Sequence, residues 1–190
     1  NNTQLQEKNF QIEINNTQLH EKNFQIEEER QKSDRLLLNI LPPKIAQRLK
    51  VGEKIIADKF DSVTVMFADI VGFTKMSARI PPEHLVENLS MVFTTFDHLA
   101  EEHGLEKIKT IGDAYMLVGG LPEPSEDHAG QVARMALAAI REIHDLTADL
   151  EDKIEVRVGI HTGAVVAGVI GMRKFAYDLW GDTVNTASRM

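Results

Sequence analysis

Apolar and polar residues follow one another along this chain in two rhythms, and the change between them falls near Val51 to Phe60. In the first stretch Leu5, Ile12, Leu19 and Ile26 recur every seven residues, and Ile40 continues the phase. Asn1 to Ile14 (NNTQLQEKNFQIEI) returns almost unchanged as Asn15 to Glu28 (NNTQLHEKNFQIEE), an offset of two heptads. With the Leu/Ile series at heptad position d, the a positions are Asn2, Asn9, Asn16 and Asn23, then Arg30 and Leu37. Asparagine at a disfavours higher oligomers and staggered registers at a cost in stability. The pattern therefore predicts a long, weakly held, parallel coiled-coil helix over residues 1–41. A solvated single helix is the competing reading, because isolated helices are marginal in water. Phe10 and Phe24 lie off the seam and are not explained by it.

Pro42-Pro43 interrupts this helix, since proline removes a donor and clashes with the preceding turn. Lys44 to Lys50 suits a short second helix, and residues 42–60 read as a linker that transduces to a domain over 61–190. There the pattern is alternating strand and helix. Val63 to Ala68 (VTVMFA) is a short apolar run that suits a buried strand. Pro81 to His103 opens with proline and closes at Gly104, with Leu85, Leu89, Val92, Phe96 and Leu99 along one face. Lys107 to Ile111 and Ala114 to Val118 flank Gly112-Asp113, the signature of a tight hairpin. Asp127 to Leu146 reads as a second helix, with Ala133, Ala136, Ala139 and Ile140 as its core stripe. Ile154, Val156, Val158 and Ile160 alternate with polar residues and glycine, His161-Thr162-Gly163 reads as a turn, and Val165 to Ile170 as the returning strand. The order β-α-β-β-α-β-β predicts an α+β, ferredoxin-like mixed sheet with both helices packed on one face.

Composition narrows the function. With 43% hydrophobic and 26% charged residues in 190, the chain can bury a core. A net charge of −8 argues against a general nucleic-acid binder. An acidic protein still binds an anionic nucleotide when a metal ion supplies positive charge. The absence of cysteine excludes disulfides and thiolate metal sites and fits a reducing cytosol. No apolar run approaches the roughly 20 residues that span a bilayer. The chain starts Asn1-Asn2 with no signal peptide, and reads as a piece of a longer protein, cytoplasmic or the cytoplasmic part of a membrane-anchored one.

Two carboxylates stand out. Asp69 ends a buried strand and is followed by Ile70-Val71-Gly72-Phe73-Thr74, where glycine allows the backbone to turn its N–H groups toward a phosphate. Asp113 sits in the turn of a neighbouring hairpin. Each alone is more often a strand cap or a turn residue. Together, at the ends of adjacent strands, they suit two Mg²⁺ ions, which prefer oxygen ligands.

The segments FDSVTVMFADIVGFT (Phe60 to Thr74), EKIKTIGDAYMLVGGLP (Glu106 to Pro122), VGIHTGAVVAGVIG (Val158 to Gly171) and YDLWGDTVNTASRM (Tyr177 to Met190) resemble the class III nucleotide cyclases, in the family's order. LLLNILPPKIAQRL (Leu36 to Leu49) resembles the segment that joins signalling helices to cyclase domains, which implies an upstream sensor. The resemblance implies that Asp69 and Asp113, with the Ile70 carbonyl, bind two Mg²⁺ or Mn²⁺ ions. It implies that Gly72, Phe73 and Thr74 cover the triphosphate, Asn185 orients the ribose and Arg189 stabilises the α-phosphate in the transition state. It further implies a homodimer with shared sites, Asp69 and Asp113 facing the partner's Lys109, Asp178, Asn185 and Arg189. Without the resemblance, Arg189 would be a solvated charge, Asn185 a local cap and His161 a turn histidine. The other histidines form no metal-ligand spacing, and Glu27-Glu28-Glu29 reads as a solvated helix face.

Lys109 and Asp178 match the pair that reads the purine. Adenine offers an acceptor at N1 and a donor at its 6-amino group, whereas guanine offers a donor at N1 and an acceptor at O6. Lysine only donates and an ionised aspartate only accepts, so the pair suits adenine and ATP is the expected substrate. Other stretches, such as IGDAYMLVGGLP and GDTVNTASRM, look more like the guanylate branch, so GTP is the alternative. A non-catalytic cyclase-like regulatory dimerisation module is the alternative of another class, against which Asp69, Asp113, Asn185 and Arg189 are all present. Because Met190 falls inside the helix expected to carry Asn185 and Arg189, the domain is expected to be C-terminally incomplete and to lack a lysine for the terminal phosphates.

Overall fold

The computed structural model describes residues 2–148, 153–171 and 175–190. They form two compact units, Asn1–Gln47 and Arg48–Met190. The first is dominated by α1 (Asn2–Leu38), an unbroken helix of 37 residues. Phe10, Leu19, Phe24, Ile26, Leu36 and Leu38 on it are all exposed. Helix α2 (Pro43–Lys50) starts with proline, which lacks only an N–H that a first-turn residue leaves unbonded anyway.

The second unit contains β1 (Ala57–Ile70), α3 (Phe73–Ser77), α4 (Pro82–Glu102), β2 (Glu106–Ile111), β3 (Ala114–Gly119), α5 (His128–Leu146), β4 (Val156–Ile170), β5 (Ala176–Trp180) and α6 (Asp182–Ala187). The sheet order is β2-β3-β1-β4-β5. Every pairing is antiparallel, so the expected mixed sheet is corrected to an antiparallel one. The reason lies in the crossovers. Helix α4 connects β1 to β2 and α5 connects β3 to β4. Each pair of connected strands runs parallel, but one antiparallel strand lies between its members.

The expected turn at His161-Thr162-Gly163 is also corrected. Strand β4 runs without interruption, with His161 opposite Val65 and Gly163 opposite Val63. Gly163 serves close packing instead of a turn: a Cβ there would lie 2.5 Å from Thr183 Oγ1 of α6. The fifth strand is β5, inside a segment expected only as a motif. Strand β1 begins at Ala57, within the stretch assigned to the linker.

Alternation along the strands separates two faces. Met66, Ala68, Ile70, Tyr115 and Leu117 face α4 and α5, which contribute Val92, Phe96, Leu99, Val132, Met135, Ala136, Ala139 and Ile143. Full burial of a side chain such as Phe96 is worth about 1.5–3 kcal/mol. On α5, Ala136 and Ala139 are buried as expected, whereas Ala133 and Ile140 are exposed. The buried stripe follows 132, 135, 136, 139 and 143, the helical period, and not the run of small residues.

The opposite face is buried as well, through Val63, Val65, Met116, Val118, Val165, Ala167, Tyr177 and Leu179. The β1–β4 register shifts between Phe60 and Val63. Such a bulge bends a strand and adds twist. The sheet curls until its edge strands, β2 and β5, meet through Lys109 and Asp178.

Candidate active site

Asp69 lies next to the last residue of β1, directly opposite Arg157 of β4. The guanidinium donates from Nε to Oδ1 at 2.6 Å and from Nη2 to Oδ2 at 2.8 Å, engaging both carboxylate oxygens. The hydrogen bond that Arg157 donates to Asp69, then the charge of Asp69, raises the pKa of Arg157 above the ordinary value, and the field of Asp113 adds to this. Asp113 is half-buried in the two-residue β2–β3 turn, whose first residue, Gly112, has φ +62°. A glycine with positive φ in that place is what a tight primed turn requires. Arg157 thus pairs directly with Asp69, and Asp113 acts on it only as a more distant charge.

That donor set suits magnesium. Among the described residues no group of three or more His, Cys, Asp or Glu is placed to hold an ion. Mg²⁺, however, is commonly held by one or two carboxylates plus substrate phosphates. The Arg157 guanidinium already stands where these carboxylates call for positive charge.

Ile70 closes β1 with its side chain buried in the helix-side core. Gly72 follows with φ +71° as the N-cap of α3, and a Cβ there would meet nothing within 4 Å. Its glycine therefore answers to backbone angle and not to crowding. Phe73 and Thr74 open the helix, where first-turn N–H groups have no intrahelical acceptor. Phe73 packs on the core, while Gly72 and Thr74 are exposed.

A cavity of about 380 Å³ is lined by Asp69, Ile111, Arg157, Gly159, Ser188 and Arg189, among others. Arg189 reaches it because α6 packs closely on β4. A Cβ on Gly159 would fall 2.3 Å from the Ala187 carbonyl, and Thr183 Oγ1 donates to the Ala164 carbonyl at 2.7 Å. The expected helix through Arg189 is corrected: α6 ends at Ala187, and Arg189 follows in a tightened turn, its N–H bonded to the Thr186 carbonyl at 3.0 Å. Asn185, four residues before Arg189, is exposed on α6 and does not line the cavity.

Lys109 and Asp178 form an ion pair across the curl, with Lys109 Nζ donating to Asp178 Oδ2. The other oxygen of Asp178 accepts from the Leu179 N–H at 2.9 Å. Both Phe67 and Lys109 register with Met116, so the pair lies two strands from β1, near the level of Asp69. These two residues are 69 apart in sequence, and the curl alone joins them.

One residue with a part in this geometry has no distinguishing mark in the sequence. Arg157 adjoins the motif that begins at Val158, and only the β1–β4 register sets it against Asp69. Glu106 on β2 is half-buried, and desolvation pushes its carboxyl up to about 7. Nearby, the Tyr177 hydroxyl is buried with no hydrogen-bond partner among the described residues, and burial, followed by the charge of Glu106, pushes its pKa upward.

Comparison with known proteins identifies the family of the fold. The family model for the adenylate and guanylate cyclase catalytic domain matches residues 55–190. A model described as haem NO binding associated matches residues 1–49. An adenylate cyclase of Mycobacterium tuberculosis is 49% identical over 167 residues, covering 85% of this chain and 37% of that protein. Human atrial natriuretic peptide receptor 2 is 46% identical over 166 residues, covering 86% of this chain and 16% of the receptor. The chain thus spans well under half the length of these relatives. Among solved structures, the catalytic core of a rhodopsin-guanylyl cyclase with converted specificity, in complex with ATPαS, has a TM-score of 0.67 at 42% identity, covering 70% of this chain and 73% of that one. The adenylyl cyclase CyaB from P. aeruginosa has a TM-score of 0.64 at 28% identity, covering 70% and 71%.

Proposed function

This chain belongs to the adenylate and guanylate cyclase catalytic domain family, and from that premise we propose that it converts ATP to 3′,5′-cyclic AMP and pyrophosphate. The observation that carries the choice of purine is the Lys109–Asp178 pair. Side by side, a donor-only and an acceptor-only group complement adenine N1 and the 6-amino group. Against guanine both contacts would be mismatched, at about 1–3 kcal/mol each in a desolvated site. The second reading is a guanylate cyclase, favoured by the similarity to receptors and cyclases of that branch.

Asp69 and Asp113, with the Ile70 carbonyl, would hold two Mg²⁺ or Mn²⁺ ions. When bound, such ions lower the pKa of the ribose 3′-hydroxyl and neutralise charge on the triphosphate. The chain supplies the rest. Gly72, Phe73 and Thr74 cover the phosphates with first-turn N–H groups. Asn185 orients the ribose. Arg189 offers fixed donors to oxygens that gain charge as the α-phosphorus is attacked, a geometry lysine lacks.

The functional unit is a two-fold homodimer in which Asp69 and Asp113 of one protomer meet Lys109, Asp178, Asn185 and Arg189 of the other, in place of the same chain's Arg189, which lines the Asp69 cavity in the single chain. Helix α1 pairs in parallel with its copy, residues 42–60 transduce, and residues 61–190 carry catalysis. The match of residues 1–49 supports a sensor domain joined to this helix in the full protein. Among the described residues no helix is long and apolar enough to cross a membrane. We assign the domain to the cytoplasm. The test is an assay of the purified protein with ATP and GTP under Mg²⁺ and Mn²⁺, resolving cyclic from linear products. Cyclic AMP as the main product is expected, and a preference for GTP would overturn the purine assignment.

A further inference from the structure

Both oxygens of Asp69 are already engaged, by a positive charge that belongs to the chain itself. A side-on fork of two N–H donors uses the same edge of a carboxylate that a divalent cation would use. The partnership is built into the backbone, because Asp69 and Arg157 stand opposite each other in the β1–β4 register. The two partners differ in exposure. The Asp69 side chain is 28% exposed and that of Arg157 77%, so the carboxylate is held by the fold while the guanidinium is free to swing outward.

We propose that Arg157 is a positioning residue that occupies the cation position at Asp69 until a divalent ion displaces it, so that metal binding and release of the arginine are one exchange. The inference rests on the reading of Asp69 as a metal ligand. In the metal-free chain the arginine neutralises Asp69 and holds its carboxylate in one orientation. An exposed ion pair is a weak competitor, so the exchange tunes metal affinity without blocking it.

The test is a titration of the protein with Mn²⁺ in the absence of nucleotide, following free Mn²⁺ by electron paramagnetic resonance. Arg157→Ala removes the competitor and should tighten Mn²⁺ binding about two- to fivefold, the range set by exposed pairs. Arg157→Lys keeps the charge but cannot engage both oxygens, so it too should bind Mn²⁺ more tightly than the parent. A Lys variant with the parent's affinity would overturn the proposal, because diffuse charge alone would then explain the Ala variant. Unchanged or weakened binding in the Ala variant would overturn it as well. Asp69→Asn should lose this binding whatever stands at 157. If it does not, the metal assignment fails and the exchange with it. Thermal unfolding of each variant checks the fold. No nucleotide is present, so the choice between ATP and GTP does not enter the result.

Discussion

Helix α1 and the curled sheet use apolar residues in opposite ways. On α1, Leu19, Phe24, Ile26 and Leu36 are 58–66% exposed, whereas Val63, Val65, Leu117 and Val118 of the sheet are fully buried. Both faces of the sheet are buried. The apolar residues named on the helix stay exposed, and a largely polar helix of 37 residues is marginal on its own. The two regions therefore differ: the sheet's stability is intrinsic, while that of the helix is proposed to depend on association. Damage to one region should leave the other intact, and targeted substitutions in each can break that expectation or sharpen it.

The largest effect belongs to the sheet. Asp69→Asn or Asp113→Asn should lower cyclase turnover by about 10²–10³-fold or more, with thermal unfolding nearly unchanged. Arg189→Ala should be comparably inactive. Mixing the Asp69→Ala and Arg189→Ala proteins, with subunit exchange verified by different tags, should restore activity, because one of the two sites then carries neither defect. Verified heterodimers that stay inactive would show that the sites do not span the interface in this way.

Next in size is base selection. Lys109→Glu with Asp178→Cys should shift the ratio of ATP to GTP turnover by about 10²-fold toward GTP, measured as kcat/KM for each nucleotide. No shift would remove the edge-to-edge pair from purine reading.

A smaller effect concerns Glu106, whose carboxyl is raised from 4.5 to about 7 by burial. An acid with a raised folded-state pKa is ionised more readily in the unfolded chain. Stability is therefore lost as pH rises from about 4.5 to about 7 and levels off above that. Glu106→Gln should remove this slope and stabilise the sheet unit by about 1 kcal/mol at pH 8, allowing for the residue's partial exposure. Parallel stability profiles for parent and variant would refute the burial argument.

The smallest effect on the sheet comes from the helix. Leu19→Ala with Ile26→Ala should change unfolding of the sheet unit by less than about 0.5 kcal/mol while weakening self-association in sedimentation. Deleting a whole heptad from α1 should preserve regulation, and deleting three or four residues should change basal activity by rotating the phase. Equal activity across these deletions would make the helix a tether.

Elements with a strong local period are legible in the sequence. Helix α4 is expected from proline before it, glycine after it and the stripe at Val92, Phe96 and Leu99, and it forms within a residue of that reading. The two-residue turn at Gly112-Asp113 is equally plain. Gly163 misleads because glycine and a neighbouring polar residue have the composition of a turn, whereas the cause of that glycine is α6, whose approach no local pattern records. Asp69, Asp113, Lys109 and Asp178 stand out through motif resemblance, which also groups them in pairs, whereas the contact of Lys109 with Asp178 inside one chain follows from the curl of the sheet. Arg157 escapes sequence reasoning for the same reason. Its partner is 88 residues away in sequence, and nothing around it distinguishes it from a solvated strand arginine.

The curl of the sheet has a consequence for solubility. An antiparallel sheet normally ends in strands whose unpaired N–H and C=O groups invite a stranger's strand to add on. Here β2 and β5, the strands that would be vulnerable, lean on each other, and Lys109 and Asp178 fasten them. The molecule thereby guards both of its sticky borders at once, leaving faces instead of edges as its places of assembly. Random strand-to-strand growth is thereby discouraged by the same contact that is proposed to recognise a base.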